Sequence, residues 1–387
     1  MSNNNAKPVF LCVANWDSNV GYAWWLMESF WLKINDELEQ DYRTIIAYPS
    51  ISVIPPAIEL SSIGKTEFKF NLESIKDIKS HYLFIKENNV RVIYFTDRPT
   101  SHWSYMVLKL LCGVNKIIIH DHTPGQRTKP TGIRRFLKKI RSRLAFWSAD
   151  TAIGATEYVQ RRLVEVNCFP VQHCYAAPNG LPPLPLIQHE PINIRRMLNL
   201  HENALIIVST GRVDFYKGIE FALLVIARLV QQEQSRPIHY LYCGDGSDID
   251  AARQLANNLN IGEAVTFLGK TDKIPQILAE CDIAFHPSKG EVGYSLSVLE
   301  YMRSEVAVVL SDNPSVCEAI THKKTGLIYQ EGNLESAVNA FQQLILDEPS
   351  RIQMGQQGKI AVQSNYSLSN THDQLMNAIM STLRKAG

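Results

Sequence analysis

Short runs of aliphatic and β-branched residues recur along the first half of the chain, at Val9–Ala14, Arg43–Tyr48, Val90–Phe95, Lys116–His120, Thr151–Gly154 and Gln172–Pro178. Amphipathic stretches of helical period separate most of them. That alternation predicts a parallel sheet with helices on both faces. A second series follows, at Ala204–Thr210, Ile238–Cys243, Val265–Leu268, Ile283–His286, Val306–Leu310 and Leu327–Tyr329. Helical segments lie between, notably Ile219–Gln232 and Tyr294–Arg303, and the chain ends in helical material at 333–346, 350–364 and 368–384. The stretch 179–192, "NGLPPLPLIQHEPI", has four prolines and no helical period, which marks it as a linker. The expected architecture is α/β: two Rossmann-like domains with parallel sheets, residues 1–183 and 184–367, the helix at about 368–387 packing back on the first. Two such halves place a ligand in a central cleft between the carboxyl edges of their sheets.

Composition narrows the function classes. A chain of 387 residues suits two domains of ~150–200 residues each. With 45% hydrophobic and 20% charged residues it is neither collagen-like, disordered nor disulfide-dense. The net charge of +1 leaves no global affinity for polyanions, so any basic site is local. The seven cysteines form no Cys-x-x-Cys pair and no zinc-finger spacing, and most lie in apolar runs. They read as reduced core residues, as in a cytoplasmic protein. The start "MSNNNAKPVFLCVA" lacks a signal peptide's basic lead, and no apolar run reaches the ~20 residues of a membrane span.

Three segments of the second half could carry anion chemistry. In "VSTGRVDFYKGIE", 208–220, a strand ends at Gly211, Arg212 follows, and Lys217 stands just before a helix. A helix N-terminus with two fixed cations can hold a diphosphate and stabilise it as it leaves; alternatively these are two surface cations at an ordinary turn. In "LYCGDGSDID", 241–250, Gly244 and Gly246 permit a tight turn and close backbone approach. In "HPSKGEVGYSLSVLEYM", 286–302, backbone N–H groups at Gly293, Tyr294 and Ser295 are placed to take phosphate oxygens, and Glu300 to accept from a ribose diol or else to sit solvated on its helix.

The first half offers less. "ANWDSNVGYAWWL" turns into a helix after Gly21, another point of backbone approach, and its tryptophans read as packing. "IIIHDHTPG" puts His120, Asp121 and His122 at a strand end, where an imidazole can bind a sugar hydroxyl or move a proton. With no third ligand in view, no metal is expected there. Residues 127–147 hold eight Lys/Arg and no acid, with Ile133, Phe136, Leu137, Ile140, Leu144 and Trp147 at helical spacing. Such a helix either docks on anionic lipid through Arg134, Arg135, Lys138 and Lys139, or packs its apolar stripe on the first sheet. No nucleic-acid reading module accompanies it.

Taken in order, "TGRVDFYKG", "CGDG", "FLGK", "CDIAFHPS", "GYSLSVLEYM" and "CEAITHKKTGLIY" resemble the retaining glycosyltransferases of the GT-B fold, family 4-like (group 1), typified by bacterial cell-envelope sugar transferases. The resemblance is specific over about 204–330 and weaker before it, where "APNGL" at 177–181 matches the Asn-Gly ahead of the hinge. It implies a first domain that binds acceptor and a second that binds a nucleotide-sugar, UDP- or GDP-linked, with no tightly bound cofactor. It implies diphosphate binding by Arg212 and Lys217, ribose binding by Glu300, and base reading by the backbone at Leu268 and Gly269. Gly21, Gly211, Gly244, Gly246, Gly293, Tyr294, Ser295 and Leu296 fall in the donor loops, and either His120 or His122 stands near the donor sugar. One departure matters: the family's two glutamates have seven residues between them, but counting back from Glu300 reaches Val292, and Glu291 stands one position early. Either Glu291 reaches the donor sugar or that contact is lost.

The implied reaction retains the anomeric configuration, moving a sugar to a glycan or lipid-linked glycan in polysaccharide, capsule or lipopolysaccharide assembly. The enzyme would be cytoplasmic, at the inner face of the membrane. No carboxylate pair of the kind used by retaining glycosidases is evident, so stabilisation of the leaving diphosphate carries the rate. Two alternatives keep the fold: a catalytically degenerate nucleotide-sugar-binding subunit, which Val292 favours, and a nucleotide-sugar epimerase.

Overall fold

The computed structural model describes residues 7–19, 24–184, 192–232 and 236–384. Contacts divide the chain into two compact units: residues 1–123, 127–178 and 371–387 form the first, and 124–126 with 179–370 the second. The break falls at Pro178/Asn179, at the head of the proline-rich segment, of which Pro185 and Pro191 lie outside the described residues.

The first unit is built on seven parallel strands: β1 (Val9–Val13), β2 (Arg43–Tyr48), β3 (Gly64–Glu67), β4 (Val90–Thr96), β5 (Lys116–Asp121), β6 (Thr151–Gly154) and β7 (Cys174–Ala176). Their order is β3-β2-β1-β4-β5-β6-β7. All five residues of β1 are buried, as expected where helices cover both faces of a sheet. The helix Trp24–Leu38 presents Phe30, Trp31, Ile34 and Leu38 to the core, the i, i+4, i+8 stripe of an amphipathic helix. Of the tryptophans near Gly21, Trp31 is fully buried and Trp16 is exposed. The edge strand β3, sequence "GKTE", has no apolar pattern and was not expected; its pairing with β2 creates it. The run expected at 172–178 shrinks to the three residues of β7, because Val171–His173 turns as a 3₁₀ helix.

The second unit repeats the design with β8 (Leu205–Thr210), β9 (Ile238–Cys243), β10 (Val265–Gly269), β11 (Ile283–His286), β12 (Ala307–Ser311) and β13 (Gly326–Tyr329), in the order β10-β9-β8-β11-β12-β13. Leu205 and Ile207 point to one face, into a core closed by the helices Ile219–Val230 and Leu334–Leu346. Ile206 and Val208 point to the other, under the helix Leu296–Arg303. Strand β8 therefore reads as an unbroken apolar run, the mark of a central strand buried on both sides.

Both sheets reverse strand order once, between β1 and β4 and between β8 and β11. In open α/β sheets the loops leaving such a reversal splay to opposite faces and leave a crevice at the carboxyl ends. Glycine 180 has a structural reason of its own. Leu181 exchanges backbone hydrogen bonds with Tyr366 and Leu368, and a Cβ at 180 would collide with the backbone of Ser367. Residues of the last helix, Leu368–Arg384, return to the first unit, where Thr382 bonds Thr151 at 2.6 Å and Ser381 bonds Tyr175 at 3.0 Å.

Candidate functional site

The loops that leave β8 and β11 meet at the reversal point of the second sheet. After β8, Asp214 accepts the N–H of Lys217 at 2.8 Å and caps the one-turn helix Phe215–Lys217. Gly218 follows with φ +78°, a left-handed conformation that opens the helix Ile219–Val230. A side chain there would collide with the carbonyl of Pro287, in the loop after β11. Lys289 N–H also donates to Tyr216 O at 3.0 Å, so the two loops are laced together.

At their junction Lys217 Nζ lies 2.6 Å from Glu291 Oε1, and His286 Nε2 lies 3.2 Å from the same oxygen. Burial alone would raise the Glu291 carboxyl; the Lys217 charge and the hydrogen bonds from His286 and Lys217 outweigh it and bring it down to about 2. Glu291 is therefore ionised at every physiological pH. Its side chain is 10% exposed, and Lys217 is 21% exposed. Arg212 differs sharply: 78% exposed, its one ion pair among the described residues is a loose 3.8 Å contact with Asp214. Lys217 is a held charge, and Arg212 is a free arm.

The glycines after β9 make their close backbone approach to the protein itself. A Cβ on Gly244 would strike the carbonyl of Gly211, and one on Gly246 that of Val213. They let the ends of β8 and β9 pack backbone against backbone, which fixes the loop that carries Arg212 and Lys217. Gly211 and Gly269, at φ +138° and +80°, face open space, so a ligand can approach the backbone there. Leu268 and Gly269 end β10.

In the third segment Gly293 N–H is already committed to Ser315 O at 2.8 Å. Tyr294 is buried, its hydroxyl donating to Asn179 O at 2.8 Å. Ser295 caps the helix Leu296–Arg303 by accepting Ser297 N–H, and Leu296 packs against the core. Of the backbone donors expected at Gly293, Tyr294 and Ser295, the Gly293 N–H is therefore engaged within the fold, and the start of the helix at Ser295 and Leu296 adds the unpaired N–H groups of a helix N-terminus. Glu300 is half-buried rather than solvated; burial raises its carboxyl against the pull of Arg303.

In the first unit the carboxyl ends of β4 and β5 hold buried titratable groups. His120 is fully buried, its Nδ1 bonded to the Tyr94 hydroxyl and its Nε2 without a hydrogen-bond partner. Burial, and then the neighbouring His122, push its pKa well below the usual imidazole value, so it is neutral. The centroids of the two imidazoles lie 4.1 Å apart, their planes tilted by 53°, beside Phe30. Asp97, at φ +56°, is raised to about 7 by burial and by Asp121, against the His122 N–H, Arg162 and Arg98. Asp121 pairs with the buried Arg162 at 3.2 Å. Gly21 lies outside the described residues.

Three residues here escaped the sequence reading. Asp214 had a local signal, a capping carboxylate three positions before Lys217. His286 stood in plain view at a strand end. Arg162 had none, because its partner lies 41 positions away.

The basic segment forms the helix Gly132–Arg141, which buries none of its residues. Ile133 is 74% and Phe136 61% exposed, and Leu137 and Ile140 are exposed as well. The alternative in which this stripe packs on the first sheet is thereby overturned. Among the described residues no helix is long and apolar enough to cross a membrane.

Residues 192–361 match the family pattern described as Glycosyl transferases group 1. A D-inositol 3-phosphate glycosyltransferase of Corynebacterium urealyticum is 29% identical over 191 residues, which are 48% of this chain and 45% of that protein. The chain thus spans about half the length of such curated relatives. Among solved structures, a glycosyltransferase from Rickettsia africae superposes with a TM-score of 0.73 at 15% identity, covering 98% of this chain and 100% of its own. HepE of Anabaena, in complex with UDP, gives a TM-score of 0.70 at 15% identity, with 97% and 100% covered. The site at the β8/β11 reversal lies inside the matched stretch, so the second unit carries the group 1 glycosyl transferase pattern on a chain with the GT-B fold of those glycosyltransferases.

Proposed function

We propose that the chain is a retaining glycosyltransferase that moves a sugar from a nucleotide-diphosphate sugar, UDP-linked first of all, to a hydroxyl of a glycan or lipid-linked glycan. The observation that carries this is Lys217, a cation held in a laced double loop at the point where the strand order reverses. In this reading Lys217 and Arg212 bind the donor diphosphate, the helix start at Ser295–Leu296 takes a phosphate oxygen, Glu300 takes the ribose, and the backbone at Leu268–Gly269 meets the base. The complex of the structural neighbour HepE with UDP supports the choice of base.

The bond from the anomeric carbon to the phosphate oxygen breaks as the acceptor oxygen arrives on the same face. The acceptor proton leaves with the departing phosphate, and the growing charge falls on Lys217 and Arg212. The neutral His120 or its neighbour His122 is the hydrogen-bonding group for the sugar. Glu291 does not read the sugar; it holds Lys217 in place.

The basic, apolar-striped helix Gly132–Arg141 docks the enzyme on an anionic membrane surface, at the cytoplasmic face, for a role in polysaccharide or lipopolysaccharide assembly. The second reading, a binding subunit without turnover, draws on Val292 in place of the family's first glutamate and on the saturated Lys217–Glu291 pair.

One experiment separates these readings. The full chain is incubated with UDP-glucose, UDP-galactose or UDP-N-acetylglucosamine, with and without a membrane extract as acceptor, and UDP release and product anomer are followed by NMR. Acceptor-dependent release with retained configuration is expected. Turnover without acceptor favours the epimerase, an inverted product removes the retaining mechanism, and binding without turnover favours the subunit.

A further inference from the structure

A second recess lies wholly within the first unit, beyond the ends of β4 and β5. It measures about 340 Å³ and is lined by Asp97, Arg98, Asp121, Arg127, Lys138 and Arg141, among others. Four cations thus face two carboxylates, and both carboxylates are muted. Asp121 is already paired with the buried Arg162, which also donates to Thr123 O at 2.7 Å. Asp97 accepts the N–H of His122, and burial together with Asp121 holds its carboxyl up at about 7, so near neutrality it is about half uncharged.

The cations are far less satisfied. Arg98 gives one bond to Phe70 O at 3.2 Å, while its Nε is buried with no hydrogen-bond partner. Among the described residues Arg127 reaches only the Thr123 hydroxyl, at 2.8 Å, and Lys138 only the Val166 carbonyl, at 3.1 Å. Arg141 forms no ion pair among the described residues. Three guanidiniums around a small polar recess are donors in search of acceptors, and their planar forks match phosphate oxygens.

The recess also has a direction. Lys138 and Arg141 belong to the helix Gly132–Arg141, the same helix that leaves Ile133, Phe136, Leu137 and Ile140 uncovered. On a helix, residues 134, 138 and 141 share one stripe and 133, 136, 137 and 140 another. One stripe faces the recess while the other suits the acyl boundary of an anionic bilayer, whose charge the eight Lys/Arg of 127–147 complement. A phosphate reaching Arg141 and Lys138 therefore arrives from the bilayer side.

We propose that this recess binds the exposed phosphate of a membrane-borne lipid, with Arg98, Arg127, Lys138 and Arg141 as its ligands. Naming that lipid the acceptor, a phosphate- or diphosphate-linked carrier, rests on the transferase reading; the binding itself does not.

The test uses the full chain and phosphatidylcholine vesicles doped with phosphatidic acid, which ends in a phosphomonoester, or with phosphatidylglycerol, a diester, at matched surface charge. Sedimentation measures binding. The wild type is expected to prefer phosphatidic acid about tenfold, the scale of one lost charge-assisted hydrogen bond, and millimolar inorganic phosphate is expected to erode that preference. Both Arg127 and Arg141 are exposed, so the double variant Arg127→Gln/Arg141→Gln keeps its fold; it is expected to bind the two vesicle types equally. A wild type that does not discriminate, or a double variant that keeps the full preference, overturns the proposal. Stabilisation by inorganic phosphate without any vesicle preference assigns the recess to a soluble phosphate ester and overturns the membrane source. UDP is added to the same samples as a separate arm. Its failure to stabilise the chain, with the phosphatidic acid preference intact, removes the transferase reading and leaves this site standing.

Discussion

The two sheets share one plan, yet the carboxyl ends of their central strands are finished in opposite ways. In the second unit the loops after β8, β9 and β11 are fixed by glycine-permitted backbone packing, and the charge at the reversal point is a paired one, Lys217 on Glu291 and His286. In the first unit the ends of β4 and β5 bury His120 and nearly bury Asp97, with burial pushing the one down and the other up toward neutrality. One edge pairs its charge at the reversal point, and the other drives two groups, His120 and Asp97, toward neutrality beside an Arg162–Asp121 pair and the cations of the neighbouring recess. Charge held in place suits an anion that must be bound and released; neutral groups suit hydroxyls that must be recognised without a net charge.

The sharpest way to break this contrast is at Lys217. Lys217→Ala removes a fixed, partly buried cation, and turnover is expected to fall about 100- to 1,000-fold, as for loss of a preorganised group facing a developing charge. Arg212→Ala, on a 78% exposed arm, is expected to cost nearer tenfold. Steady-state rates with saturating donor would check both. Equal losses would mean that Arg212 is drawn in on binding, and the distinction between held charge and free arm would go.

Next in size is Glu291→Gln. The folded carboxyl lies near 2, below the usual 4.5. Its contribution to stability is therefore fully present above pH ~4.5 and is lost as pH falls toward about 2. The variant is expected to lose about 2–3 kcal/mol at pH 7, because it lacks that contribution and leaves Lys217 without its anion. Its stability should also vary less than the wild type's between pH 5 and 3. Urea unfolding at the three pH values measures this, and a neutral substitution would show the pair to be idle.

The smallest effect separates the other edge. Asp97 is raised to about 7, so its contribution favours the fold below pH ~4 and is lost as pH rises through 7. Asp97→Asn keeps an oxygen to accept the His122 N–H and removes the ionisation. The variant is expected to be about 1–2 kcal/mol more stable than the wild type at pH 8, the difference shrinking at pH 5. Identical pH profiles would mean that Asp97 is not desolvated.

How far the sequence foretold these edges follows the same divide. Strands β8, β9 and β11 were legible nearly to the residue because mostly apolar runs that stop at Gly211, Gly244 and Pro287 leave few other readings. In the loop after β8, Lys217 and Gly218 were legible because they adjoin the helix start, while the local signal of Asp214, which caps Lys217 three residues on, went unread. What Gly244 and Gly246 face was not legible, since close approach to a ligand and close approach to Gly211 and Val213 ask the same of a residue. Nor could spacing say that Glu291, one position early, would be drawn to Lys217, 74 positions back. In the first unit the important pairs are all distant, His120 with Tyr94 and Asp121 with Arg162, and only the strand order brings them together. Strand β3 was missed for a related reason: three half-exposed residues and an exposed one at a sheet edge carry no apolar signal, and their conformation comes from the neighbour.

The central claim is that the second unit binds a nucleoside diphosphate at the β8/β11 reversal through Lys217. It is tested most directly by the thermal unfolding of the full chain with UDP, GDP, ADP and CMP, in parallel with Lys217→Ala. A ligand selective for the folded state adds about 2.7 kcal/mol of stability at a hundredfold excess over its dissociation constant. The account predicts a clear upward shift with one diphosphate, UDP first, little with CMP, and most of the shift gone in Lys217→Ala. No shift with any nucleotide at several millimolar, or the same shift in wild type and variant, would contradict it.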